Sequence, residues 1–104
     1  MSDYSDFLTL DARLVILREL AAQSDGRLNE TILTAALDRF GYNRSREWVR
    51  TQLRKMAELG AVRVISIDRP EADALLVAAI TRAGVDHVER RSFIDGIAKP
   101  SIGA

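Results

Sequence analysis

Between residues 44 and 55 five cations share a short stretch: Arg44, Arg46, Arg50, Arg54 and Lys55, with Thr51 among them. Arginines can donate paired hydrogen bonds to phosphates and to guanine edges. At about 100° per residue, Leu53 and Met56 fall within roughly 40° of Val49, and these three make an inner stripe. Glu47, Arg50, Thr51, Arg54 and Lys55 spread over the other side. In a major groove, Arg50 and Arg54 would bond guanine edges and Thr51 would touch a thymine methyl group. Arg44, Arg46 and Lys55 would then lie against phosphates, and Arg69, at a hairpin tip, would reach a neighbouring groove or backbone. The competing reading is a solvated or protein-binding face. Glu47 precedes Arg50 by three residues and Glu58 follows Arg54 by four, which is pairing distance on a helix, and both carboxylates repel phosphate.

Other chemistry has little to work with. The chain has no cysteine, which excludes disulfides, thiolate metal sites and thiol nucleophiles. His87 is the single histidine and stands beside Asp86, where a surface or capping group is expected. No spacing of His, Asp and Glu suggests a metal site, and no glycine-rich loop suggests a phosphate cradle. The expectation is a binding protein: no enzyme, no catalytic residue, no metal and no cofactor. Trp48 is expected at the core edge, the alternative being a contact with a partner or second subunit.

A chain of 104 residues fits one domain. Its net charge is zero, but residues 41–69 carry seven cations against three acids while both flanks are acidic. A local basic patch supplies phosphate contacts even in a neutral chain. No apolar run is long enough to cross a bilayer, the acidic, polar start does not read as a signal peptide, and a cytoplasmic protein is expected.

The elements that position these residues follow from caps and periodicity. Leu10 to Ala22 reads as a first helix capped by Thr9. Asn29 caps a second, whose apolar face is Ile32, Leu33, Ala36, Leu37 and Phe40, and which stops at Gly41. Tyr42 to Arg44 make a short turn. Ser45 caps the third helix, 45–59, ended by Gly60. Val62 to Ile67 is rich in β-branched residues and reads as a strand. Asp68 to Asp73 is a turn, Ala74 to Ile80 a second strand, and Thr81 caps a fourth helix from Arg82 to about Arg90. The expected fold is mainly α with a small β-hairpin, a winged helix-turn-helix in the order H-H-H-E-E-H. Residues 1–91 form the domain with a short N-terminal extension, and 92–104 form a tail that packs in part. The alternative is a plain helical bundle in which residues 62–80 form no hairpin. Tyr4, Phe7 and Leu8 either pack back onto the domain or form a homodimer contact.

Leu59-Gly60-Ala61-Val62 and Thr81-Arg82-Ala83-Gly84 resemble bacterial winged-helix regulators of the ArsR and MarR type. The cysteine box of many ArsR proteins is missing, so metal sensing is not implied. Over nearly the whole chain, three segments are similar to a family of small proteins of Mu-like phages and prophages. These are Gly26-Arg27-Leu28-Asn29-Glu30, then Ser45-Arg46 with Val49-Arg50-Thr51-Gln52-Leu53, and Gly96-Ile97-Ala98-Lys99-Pro100-Ser101. That family lies near DNA-packaging and head genes and is often labelled ArsR-like from fold alone. The resemblance implies a phage role, transcriptional or in assembly and packaging, and transfers no binding residue. The expected function is a regulator that binds double-stranded DNA through helix 45–59. The alternative is a module that docks a phage protein in head assembly or packaging, without reading DNA.

Overall fold

A computed structural model describes residues 4–101. The first residues of the expected extension, 1–3, and the tail end, 102–104, lie outside them. The elements are α1 (Tyr4–Ala21), β1 (Arg27–Asn29), α2 (Glu30–Arg39), α3 (Arg46–Glu58), β2 (Val62–Arg69), β3 (Ala72–Ile80) and α4 (Arg82–Val88). Four helices and one three-stranded antiparallel sheet, ordered β1-β3-β2, make a small mixed α/β domain.

The caps explain most boundaries. The side chains of Asn29, Ser45 and Thr81 accept hydrogen bonds from the amides of Ile32, Trp48 and Gly84, each satisfying a donor that the helix start leaves open. Gly60 closes α3 with φ of 84°, a left-handed conformation that glycine adopts without a Cβ penalty. α1 starts earlier than expected. Thr9 is no cap: it lies inside the helix and its hydroxyl donates to the Ser5 carbonyl at 3.1 Å. The described part of the expected extension is therefore the first turn and a half of α1.

The hairpin excludes the plain bundle. Its arms are longer and its tip tighter than expected, because β2 runs to Arg69 and β3 starts at Ala72, leaving Pro70 and Glu71 between them. β1 was not expected. It pairs Arg27 with Ala79 and Asn29 with Val77, making β3 the central strand.

The core sits between α1, α2, α3 and one sheet face. Ile16, Leu17 and Leu20 meet Leu33, Leu37, Val49, Leu53 and Met56, all fully buried, with Val62 and Ala78 closing the sheet side. Residues 92–101 are a strap across α1. Ile97 is buried, the Ala98 amide donates to the Leu10 carbonyl at 3.1 Å, and Arg13 donates to the Gly96 carbonyl at 2.8 Å. His87 is not the expected surface group. It is fully buried, accepts from the Ile94 amide at 3.0 Å through Nδ1, and so presents Nε2–H to the Ala98 carbonyl at 2.9 Å. It fixes the strap.

Tyr42 ties the turn after α2 to α1 by donating to Asp11 Oδ2 at 2.5 Å. Burial first, then this bond and the Asp11 charge, push its phenol up to about 12. The neutral phenol thus contributes stability that is complete below pH of about 10, its ordinary pKa, and is lost as pH rises through the folded value. Absorbance titration near 295 nm should show Tyr42 ionising near 12, and Asp11→Asn should bring it only part of the way down, because burial remains. Tyr42 ionising near 10 in the native protein would contradict this.

Candidate functional site

The expected contact face is α3 with the hairpin tip. Its inner stripe is as expected: Val49, Gln52, Leu53 and Met56 are buried. Trp48 is half-buried at the core edge, and the Arg44 guanidinium lies over its ring at 5.1 Å.

The outer stripe is not as expected, and Glu30 is the reason. Glu30 is the first residue of α2, and its side chain is fully buried. Its carboxylate Oε2 accepts from the Leu76 amide at 2.6 Å and from Arg50 Nη1 at 2.8 Å. The same Arg50 nitrogen donates to the Ala74 carbonyl at 3.0 Å. Arg46 Nε stands 3.3 Å from Oε1, a charge contact that lacks hydrogen-bond alignment.

Sheet register explains why these groups meet. The Ile80 amide donates to the Gly26 carbonyl, so alternate residues of β3 (Ile80, Ala78, Leu76, Ala74) turn their backbone groups toward β1. β1 ends at Asn29, opposite Val77. Beyond it, the Leu76 amide and the Ala74 carbonyl would face nothing. The Glu30 carboxylate and the Arg50 guanidinium take the place of the missing strand. A buried backbone group left unpaired costs about as much as a lost hydrogen bond, and this ion pair prevents that at two successive rungs.

Arg50 is therefore corrected from groove reader to internal anchor, with only 18% of its side chain exposed. Arg46 turns partly to the same carboxylate and stands 4.0 Å from Asp73. The Thr51 hydroxyl donates back to the Glu47 carbonyl at 3.2 Å. Lys55 pairs with Glu58 at 3.7 Å. Arg69 does not reach outward from the tip, since its Nε donates across the turn to the Asp73 carbonyl at 2.9 Å. The tip is acidic, with Asp68, Glu71 and Asp73 all exposed. Arg54 is exposed and, among the described residues, has no ion-pair partner. Arg63, which the sequence reading passed over, shares both properties on β2. The structure thus brings Arg46 and Arg50 together around Glu30 and leaves Arg44, Arg54 and Lys55 on the surface. Among the described residues no group of acids or histidine could hold a metal ion, and no helix is long and apolar enough to cross a membrane.

No family model matches the chain, and no solved structure matches it. Curated proteins do. The uncharacterized protein gp26 of Escherichia phage Mu is 38% identical over 96 residues, covering 92% of this chain and 94% of the phage protein. The chain belongs to the gp26 family. An uncharacterized protein of Haemophilus influenzae is 37% identical over 79 residues, covering 76% of this chain and 72% of its own length. The match to gp26 covers 92% of the chain, so it takes in most of the domain and not α3 alone. Phage origin is supported by the Mu relative.

Proposed function

We propose that this chain is a winged-helix domain that serves its phage as a protein-docking module, without reading base edges through α3. The element order, with β1 joined to a hairpin in the order β1-β3-β2, supports the winged-helix reading. The observation that carries the docking reading is the closure of Arg50 on Glu30 and the Ala74 carbonyl. A base-reading helix needs bidentate donors free at its centre; here the central arginine already fills two acceptors of its own fold. An acidic hairpin tip repels a phosphate backbone, and Glu47 and Glu58 do the same on α3 itself. The partner class is a phage protein of head assembly or packaging, which the resemblance to small proteins of Mu-like phages implies, and no catalysis is involved.

A second reading, duplex DNA binding by a regulator, draws on the surface cations Arg44, Arg54, Lys55 and Arg63. It would act through phosphates.

Fluorescence anisotropy of a labelled duplex separates the two. Neutralising several phosphates makes affinity fall steeply with salt. The docking reading predicts no saturable, salt-sensitive binding of duplex DNA at micromolar protein. It also predicts co-purification with a packaging or head protein co-expressed from the same phage. Salt-sensitive binding that Arg54→Ala weakens would establish the DNA reading instead.

A further inference from the structure

His87 uses both ring nitrogens in a way that only the neutral ring permits. The Ile94 amide can only donate, so Nδ1 must offer it a lone pair, at 3.0 Å. The ring's one proton is then on Nε2, facing the Ala98 carbonyl at 2.9 Å. A second proton would go to Nδ1 and set N–H against N–H. It would leave the Ala98 bond intact, because Nε2–H donates in either charge state. One end of the strap therefore depends on the charge of the ring, and the other does not.

Among the described residues no carboxylate bonds the ring. On α4, Asp86 turns to Arg82 and Arg91, and Glu89 to Arg91. On the strap, Asp95 is exposed and Lys99 lies over the Phe93 ring, as Arg90 does from the end of α4. Phe93 meets His87 edge-on. On α1, Asp6 and Arg13 line a cleft with Leu10, and Arg13 is bonded to Gln52 and to the Gly96 carbonyl. β3 brings no titratable side chain from Ala74 to Ile80.

The strap is held weakly at its Ile94 end. Ser92, Phe93 and Asp95 are exposed, Ile94 is half-buried, and the Ser92 amide reaches the Asp86 carbonyl only at 3.4 Å. Beyond Gly96 the hold is firmer. Ile97 and Pro100 are buried, the Ala98 amide donates to the Leu10 carbonyl, and Arg13 clamps the Gly96 carbonyl. Gly96, at φ of 99°, has the backbone freedom of a hinge between the two halves.

We propose that His87 is a proton-operated latch. Protonation at Nδ1 releases residues 92–95 from α4 and leaves residues 96–101 on α1. Histidine protonation opens contacts in this way in pH-sensing proteins. The released turn uncovers the seat of Ile94 against the core. The inference goes beyond the docking reading and uses none of its residues, so either stands if the other fails.

The test is nuclear magnetic resonance on the full chain between pH of about 8 and about 5, the window in which histidines change charge. Ring nitrogen shifts report the tautomer and the protonation of His87. Hydrogen exchange, taken as protection relative to an unstructured chain at each pH, reports the amides. The expected result is the Nε2–H tautomer at the upper end. As the ring takes up its second proton, Ile94 should lose protection by about tenfold, the order of one lost hydrogen bond, while Ala98 and the core amide of Leu17 keep theirs. In His87→Asn, which does not titrate, Ile94 protection should be the same at both ends of the range, whatever its level. Should that variant not fold, the coincidence of ring protonation and Ile94 release in the parent decides. A ring that stays neutral, with Ile94 protected, to the acid end of the range would overturn the proposal. So would joint loss of protection at Ile94, Ala98 and Leu17, or an Ile94 response that persists in His87→Asn.

Discussion

Glu30→Ala should lower the free energy of unfolding by about 3–5 kcal/mol, because it leaves a buried guanidinium without its counter-charge. Three groups on two elements, α3 and β3, lose their common partner at once. The Leu76 amide loses its acceptor at 2.6 Å, Arg50 loses its carboxylate at 2.8 Å, and Arg46 loses the charge it leans on. In a domain whose total stability is of the order of 5–15 kcal/mol, that is a large share. Urea denaturation followed by circular dichroism measures it. Two companion variants identify the cause. Glu30→Gln keeps an acceptor for the Leu76 amide and should cost less. Glu30→Met with Arg50→Met removes the ion pair and should cost less than the sum of the two single changes, while the Leu76 amide and the Ala74 carbonyl stay unpaired. If Glu30→Ala costs no more than a surface substitution, within about 0.5 kcal/mol, the carboxylate is not the junction described here.

Gly84→Ala should be the other strongly destabilising change. A Cβ at this position would stand 2.4 Å from the Ala61 carbonyl oxygen and 2.7 Å from Ile80 Cγ1. The first neighbour is backbone at the entry to β2, where the Ala61 carbonyl already accepts from the Thr81 amide at 3.1 Å. It cannot rotate away as a side chain would. Admitting one methyl means moving α4 off the hairpin base, and overpacking of this kind costs about 1–3 kcal/mol. His87 rides on α4 and holds the strap at Ile94 and Ala98, so the same substitution should also loosen residues 94–98. Hydrogen exchange at the Ile94 and Ala98 amides reads that coupling. Ala83→Ser, at the neighbouring exposed position, should leave both the stability and the strap unchanged.

The features that the sequence announced are those set by near neighbours. Asn29, Ser45 and Thr81 each bond an amide three residues ahead, so cap and helix are readable together. The inner stripe of α3 follows from helical period, and the hairpin from a β-branched run and an apolar run on either side of a proline turn. The failures share a different cause. Glu30 looks like an ordinary acid in a first turn, where the helix dipole favours it. Its burial is decided by Leu76, 46 residues away, and by the point at which β1 stops. Three residues of β1 are too few to show a two-residue period. Arg50 stands 100° from Val49 on the wheel, at the border of the inner stripe, and a long side chain there turns inward once a buried carboxylate is available. His87 was hidden in the same way, because its two partners lie in a strap with no regular secondary structure.

The most direct test is the arginine side-chain nitrogen–proton spectrum of the protein, recorded with and without an equimolar DNA duplex. The Arg50 guanidinium, bonded to Glu30 and Ala74, should give sharp, slowly exchanging signals that stay in place when DNA is added, while the exposed Arg54 exchanges fast. An Arg50 signal that exchanges as fast as that of Arg54, or that shifts when the duplex is added, would contradict the internal role on which this reading of α3 depends.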